Sequence, residues 1–318
     1  ARYFKPLATD PGAFGLIDDA AIVKTSGEDV VVKTDAIVEG VHFLPDDPPD
    51  TIARKALRVN LSDLASKGAL PAGFVLAHAL RSADDAWLAP FAHALGEDAA
   101  AFGCPLLGGD TVSTPGPIMI SIAALGRVPT GTMVPRSGAK PGDRVMVTGT
   151  IGDAFLGLNI LKGGAVSAAL AGDAGAREML IGRYRVPQPR NALVLALREH
   201  ASAAMDVSDG LAGDFTNLCA ASGVSATVDV PGIPLSAAAA GLVGRGVASI
   251  AALISAGDDY EIVCTVPEAR CPSFVAAARK TGVAVTSIGT VVAGSDAPRF
   301  LDAQGRELAL QSRSYSHF

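Results

Sequence analysis

Pro135 to Asp153 reads PRSGAKPGDRVMVTGTIGD, and the architecture of the chain can be read outward from it. The first nine residues, ending at Asp143, contain two prolines and two glycines, which is loop chemistry: proline removes a ladder donor and fixes φ, and glycine permits turns. Arg144 to Thr148 then reads as a strand, Gly149 to Gly152 as a tight turn, and Asp153 as the start of a helix. Strand, turn and helix in that order belong to an α/β layer, and the loop before them divides the chain into residues 1–139 and 140–318. Backbone N–H groups in such a turn can face a phosphate. The spacing is neither GxGxxG nor GxxxxGK[ST], however, so close packing of helix on strand explains the glycines equally well.

Upstream, Val30 to Lys33 reads as a strand ending at Thr34 and Asp35, and Ile118 to Val128 as a long buried strand. Ala53, Leu57, Leu61 and Leu64 recur at helical spacing, so Asn60, Asp63 and Lys67 share another face of the same helix. The next helix starts near Asp84 and Asp85, carries Leu88, Phe91, Leu95 and Ala99 on one stripe, and stops at Gly103. Leu106 to Asp110 follows as strand and turn. The alternation predicts a mixed α/β (α+β) chain.

At 318 residues with 49% hydrophobic and 18% charged side chains, the chain is long enough to bury two ordinary cores. Its longest apolar runs, such as Ile118 to Leu125, fall short of the roughly 20 residues a membrane span needs. The sequence therefore predicts no membrane partner, and Arg2 to Pro6 shows no secretory apolar run. A net charge of −6 argues against a nucleic-acid surface, which needs a basic face. Cys104, Cys219, Cys264 and Cys271 show no CxxC spacing and read as buried, reduced thiols.

Acids stand at the ends of apolar segments: Asp18 and Asp19; Asp35 after Thr34; Asp63 after Asn60 and Ser62; Asp110 after Gly109; and Asp206, Ser208 and Asp209 before Gly210. Singly, each is well explained as a turn former or helix cap. Taken together, dispersed carboxylates with no His and Cys grouping suit several Mg²⁺ ions, which choose oxygen ligands and usually share them with substrate phosphates. Such ions also remove the need for a Walker lysine. A phosphate monoester acceptor, with a second pKa near ~6, is already a nucleophilic dianion and needs no base. The barrier is then repulsion between polyanions, about 4 kcal/mol per unit-charge pair at 4 Å and an effective dielectric of 20.

DDAA from Asp18, TDAIVEGVHFLPD from Thr34, KALRVNLSDLASKGA from Lys55, LLGGDT from Leu106, PRSGAKPGD from Pro135, VTGTIGD from Val147, MDVSDGLAGD from Met205 and SAGDDYE from Ser255 stand in this order. With them the chain resembles, nearly end to end, the thiamine-monophosphate kinases of the aminoimidazole ribonucleotide synthetase-like ATP-binding superfamily. The resemblance implies an N-terminal domain that contributes strands to a dimeric barrel and a C-terminal α/β domain that completes the active-site cleft. It implies a cytoplasmic homodimer that transfers the ATP γ-phosphoryl group in line to thiamine monophosphate, giving thiamine diphosphate.

By resemblance, Asp19, Thr34, Asp35, Asp63, Asp110, Asp206 and Asp209 are the Mg²⁺ ligands, with Asp35, Asp110 and Asp209 central to catalysis. Gly109, Asp110, Arg136 and Ser208 are the ATP contacts, and His42, Asp258 and Phe318 the substrate contacts. Two positions depart from the family pattern: Ile17 stands where a glycine is usual, and Asp258 where a glutamate is usual. A sibling that activates an amide oxygen, or a noncatalytic nucleotide-binding relative, would share the ATP half. The VEGVHF segment and Phe318 favour the thiamine reading.

Overall fold

The computed structural model describes Gly12, Phe14 and residues 17–314, and divides into two compact units. The first holds the chain up to Met133 together with Arg185–Asn191, and the second holds Val134–Tyr184 and the chain from Ala192. Phe318 lies outside the described residues.

The first unit runs β1 (Ala21–Lys24), β2 (Glu28–Val38), α1 (Pro49–Ser66), β3 (Leu70–Leu80), α2 (Asp85–Ala101), β4 (Leu106–Ser113) and β5 (Met119–Pro129). The sheet order is β1-β2-β5-β3-β4, antiparallel except for the β3–β4 pair. α1 starts on Pro48 and Pro49, which fit the first turn because its N–H groups have no helical partner. It ends at Lys67, followed by Gly68 in the left-handed region (φ 68°). Its buried Leu57, Leu61 and Leu64 and the sheet's Ile120 and Ile122 form the core. Each such side chain contributes roughly 1.5–3 kcal/mol by leaving water.

Asp98 of α2, buried, accepts from Arg54 and Arg58 of α1 at 2.5–2.9 Å, locking the two helices together. The contacts that join the segment Arg185–Asn191 to this unit include these. Arg185 Nε pairs with Asp47 Oδ1 at 2.6 Å, Arg58 donates to the Pro187 carbonyl at 3.0 Å, and Asn191 Nδ2 donates to the Leu61 carbonyl at 3.4 Å. Nothing in the local sequence of that segment announces this membership.

Two strand ends differ from the sequence reading. β2 does not stop at Thr34 and Asp35, because Asp35 to Val38 pair without a break with Ile122 to Met119 of β5. Asp110 lies inside β4 rather than in a turn, paired with Ala77. A ladder uses backbone groups, so polar side chains do not end it.

The second unit runs β6 (Arg144–Thr148), α3 (Asp153–Lys162), α4 (Ala165–Ala169), α5 (Ala174–Arg185), α6 (Val194–His200), β7 (Ala203–Val207), α7 (Leu211–Ser222) and β8 (Ser225–Asp229). It continues through α8 (Ala237–Gly244), α9 (Ile250–Ser255), β9 (Glu261–Val266), α10 (Cys271–Lys280), β10 (Val285–Val292) and β11 (Arg299–Leu301). The sheet order is β11-β8-β10-β6-β9-β7. Val145, Val147, Met205, Val207 and Val263 from the strands meet Leu211, Phe215 and Leu218 of α7 in the main core. β7 and β9 are buried along their whole length, so their runs are apolar apart from Asp206, Glu261 and Thr265.

The four cysteines are free, and three of them are buried. Burial pushes the Cys104 thiol up to about 11 and the Cys219 thiol up to about 12, which keeps both protonated and unreactive. No helix among the described residues is long and apolar enough to cross a membrane.

Candidate active site

In the first unit, two lysines organise the acids. Lys67, fully buried, places Nζ 3.1 Å from Asp18 Oδ1 and 2.8 Å from Asp19 Oδ2. Lys33 places Nζ 3.2 Å from Asp35 Oδ1 and 3.1 Å from Asp63 Oδ2. The two pairs adjoin, since carboxylate oxygens of Asp19 and Asp63 come within 4.8 Å of each other. Strand and helix periodicity produce this grouping. Lys33 and Asp35 lie two apart in β2 and share a face, while Asp63 and Lys67 lie four apart along α1. Asn60 fixes the strand beside them, its Oδ1 accepting the Asp35 N–H at 3.0 Å while its Nδ2 donates to the Ala56 carbonyl.

Other sequence-predicted residues of this unit are not in that group. Thr34, between Lys33 and Asp35, points to the opposite face of the sheet, and its hydroxyl donates to the Ile122 carbonyl at 3.0 Å. Asp110 pairs with Ala77 in a row that continues to Ser121 and Ala36, so it shares Thr34's face. Three strand spacings, roughly 14 Å, separate β4 from β2. Asp110 is exposed and accepts the Thr111 N–H at 2.8 Å.

Gly109 is explained by space. A Cβ there would lie 1.9 Å from the Leu76 carbonyl oxygen, so only glycine permits this β3–β4 approach. His78, behind Thr111, bonds the Thr111 hydroxyl through Nε2 at 3.0 Å, and burial lowers its pKa against the opposing pull of Asp110. His42 accepts the Val38 N–H on Nδ1 at 3.0 Å, which leaves the ring proton on Nε2. Buried Lys55 donates to the His42 carbonyl at 2.8 Å and holds that turn in place.

In the second unit the predicted residues gather at the β7–α7 turn. Asp206 is buried inside β7. The Ser208 and Asp209 N–H groups donate to Asp214 Oδ2 at 3.0 and 2.9 Å. The chain then turns at Gly210 (φ 112°), where a Cβ would meet Ser255 at 2.7 Å. Asp258 is held alongside, its N–H donating to the Ser208 carbonyl at 2.7 Å, with a left-handed φ of 73°. Tyr260 N–H donates to the Val207 carbonyl at 2.8 Å. Burial first, then the charges of Asp206 and Asp209, push Asp214 well above the usual carboxylate range. The Arg136 carbonyl accepts from Ser222 Oγ at 3.1 Å, which fixes the loop that carries this guanidinium.

The Gly149–Gly152 turn is resolved in favour of packing. The Gly149 N–H goes to the Ala284 carbonyl, the Ile151 N–H to the Pro234 carbonyl, and the Gly152 N–H to Asp259 Oδ2 at 2.8 Å. A Cβ on Gly149 would meet Glu261 Oε1 at 2.1 Å. Glu261, fully buried, accepts from Thr148 at 2.6 Å and from Arg183 at 2.7 Å.

Sequence reading placed Lys67 on the helix face of Asp63 without its ion pairs, and missed Lys33, Asp214 and this Asp259–Glu261–Arg183 layer. A usable signal existed for Asp214 in the first turn of a helix that follows two acids. None existed for Arg183, which is 76 residues from Asp259.

Burial, above all, raises the pKa of Asp259, and its Oδ1 has no hydrogen-bond partner among the described residues. A raised carboxyl pKa makes the folded state hold the proton more tightly than the unfolded chain. The resulting stabilisation is complete below the ordinary carboxylate pKa and is lost as pH rises through the folded-state value. Asp259→Asn keeps an acceptor for Gly152 without the charge, so its Tm should fall less than that of the wild type between pH 4 and pH 9. Asp259→Ala should lose about 1–3 kcal/mol at every pH because the Gly152 donor is left unsatisfied. Thermal scans across pH distinguish the two patterns.

The acids of both units offer only oxygen donors, and no described His or Cys stands within the Lys33–Lys67 group. That donor set fits Mg²⁺, a hard cation, and does not fit zinc.

Residues 17–128 match the family described as AIR synthase related protein, N-terminal domain, and residues 140–300 match its C-terminal domain counterpart. A thiamine-monophosphate kinase of Caulobacter vibrioides is 43% identical over 323 aligned positions, covering 100% of this chain and 89% of the relative. One from Escherichia coli is 39% identical, covering 100% and 96%. Among solved structures, the thiamine-monophosphate kinase of Stenotrophomonas maltophilia superposes with a TM-score of 0.80 at 34% identity, covering 96% of this chain and 94% of that one. A structure of AaThiL complexed with AMPPCP and TMP gives 0.82 at 28% identity, covering 96% and 97%. With identity and coverage of this extent, the chain belongs to the AIR synthase-related family and, within it, to the thiamine-monophosphate kinases.

Proposed function

We propose that the chain phosphorylates thiamine monophosphate with ATP, forming thiamine diphosphate and ADP by direct in-line transfer. The observation that carries this reading is the 43% identity to a thiamine-monophosphate kinase along the whole chain. The complex of AaThiL with AMPPCP and TMP supports the same pair of ligands.

Asp19, Asp35, Asp63, Asp110, Asp206 and Asp209 are assigned to Mg²⁺, and Thr34 joins them by resemblance. These side chains would hold the ions, which when bound would supply neutralisation of the phosphate charges. The chain's own part is positioning. Asp214 holds the Ser208–Asp209 turn, Asn60 holds Asp35, and Lys55 holds the turn that carries His42. Gly109 and Ser208 are assigned to the nucleotide along with Arg136, whose planar fork suits phosphate. His42 and Asp258 are assigned to thiamine monophosphate, and so is Phe318.

The family's homodimer is also assigned to this chain. Supporting it, β4 is an edge strand exposed along its whole length, with Leu106, Leu107 and Val112 each more than half exposed. A cytoplasmic location belongs to the same reading.

Incubation with ATP, Mg²⁺ and thiamine monophosphate should yield thiamine diphosphate and ADP in equal amounts, followed by chromatography. ADP formed without the diphosphate, or only with an amide substrate, would replace this reading by the sibling synthetase.

A further inference from the structure

Lys33 lies 17% exposed between Asp35 and Asp63, and Lys67 is wholly enclosed between Asp18 and Asp19. The two ammonium groups thus have similar partners and different access to solvent. Both neutralise carboxylates that would otherwise repel one another, but only Lys33 has a route out. Its Nζ is 3.1–3.2 Å from one oxygen of each carboxylate. A Mg²⁺ ion bridging the same two oxygens needs contacts of ~2.1 Å and has to enter the space Nζ now fills. Two cations cannot share that space. The repulsion between a divalent ion and an ammonium at 4 Å is already about twice the unit-charge value.

We propose that Lys33 is an exchangeable counter-cation: it holds Asp35 and Asp63 together in the metal-free protein and is expelled when a divalent ion takes those two carboxylates, whereas Lys67 remains as a permanent internal cation. The inference rests on the proposed function in taking Asp35 and Asp63 as metal ligands. It adds that metal binding here is an exchange of cations, with affinity set partly by the ion pairs that must break. A long, flexible side chain with a compact charge suits this role, since it can swing to solvent without moving β2.

Mn²⁺, used in place of Mg²⁺, can be titrated into the full chain without nucleotide, with the free ion followed by electron paramagnetic resonance. Lys33→Met should bind Mn²⁺ at least about tenfold more tightly than the wild type, the equivalent of ~1.4 kcal/mol of competition removed. In chelator its Tm should fall, and Mn²⁺ should restore it. Equal or weaker Mn²⁺ binding by this variant, with normal binding by the wild type, would overturn the exchange and leave the metal assignment standing. Absence of Mn²⁺ binding in the wild type would overturn both.

A second measurement needs no variant. An amine-acylating reagent should label Lys33 severalfold faster when Mn²⁺ is present, with Lys67 protected throughout and exposed Lys140 unchanged as the reference. Labelling of Lys33 that stays constant or slows with metal would contradict its expulsion.

Discussion

Asp35→Asn should lose at least about 10²–10³ in kcat, the scale seen when one preorganised electrostatic contact to a developing charge is removed. Its fold should survive. The asparagine Oδ1 remains an acceptor for Lys33, the Asn60 bond to the residue 35 N–H is a backbone contact, and the β2–β5 ladder is unaffected. The Asp35 side chain is 35% exposed, so its ion pair with Lys33 is screened and the stability change should stay within roughly 1 kcal/mol. These magnitudes differ by about 2–3 kcal/mol, which makes the separation measurable: steady-state kinetics for the first, chemical denaturation for the second. Near-normal kcat at saturating Mg²⁺ would remove Asp35 from the metal set. A large loss of stability would show that it is mainly a scaffold residue.

The second large effect belongs to a residue without a side chain. Gly109→Ala would place a methyl group 1.9 Å from the Leu76 carbonyl oxygen and 2.9 Å from its carbon, in the middle of the β3–β4 pair. Neither atom can rotate away, because both are backbone, so the strands must separate. The cost should reach about 3 kcal/mol, the upper part of the usual overpacking range. Nucleotide binding should weaken as well, since Asp110, which we assign to the nucleotide, is the next residue on the displaced strand. Gly116→Ala, where the added atom meets only the Thr114 hydroxyl at 3.5 Å, is the control and should change stability by no more than ~0.5 kcal/mol. Calorimetry on both variants tests the pair. A Gly109→Ala protein as stable as the control would mean that β4 can move freely on β3.

The structure also corrects how the acids were located. Polar residues after an apolar run suggested strand ends, yet Asp35, Asp110 and Asp206 lie within strands; Asp63 lies within a helix, as its spacing predicts. Strand parity then separates neighbours in the sequence. Thr34 and Asp35 are adjacent in the chain but face opposite sides of the sheet, and Asp110 lies with Thr34 rather than with Asp35. The glycine turn at Gly149–Gly152 was open to two readings because a phosphate cradle and a tight helix–strand contact need the same residue type. The destinations of its N–H groups favour the second.

By itself, the sequence determined the mixed α/β class, the helix face shared by Asp63 and Lys67, and the family motifs with their order. All of these depend on local propensity, short periodicity or a residue string, which are properties of neighbours along the chain. Only the tertiary structure decided that Lys33 stands between Asp35 and Asp63, that Asp214 carries the Ser208–Asp209 turn, that Arg183 reaches Glu261, and that Arg185–Asn191 belongs with the first unit. Those contacts come from sheet order, helix packing and long crossovers. Charge and hydrogen bonding act through space at a few ångströms, and separation along the chain does not encode that distance.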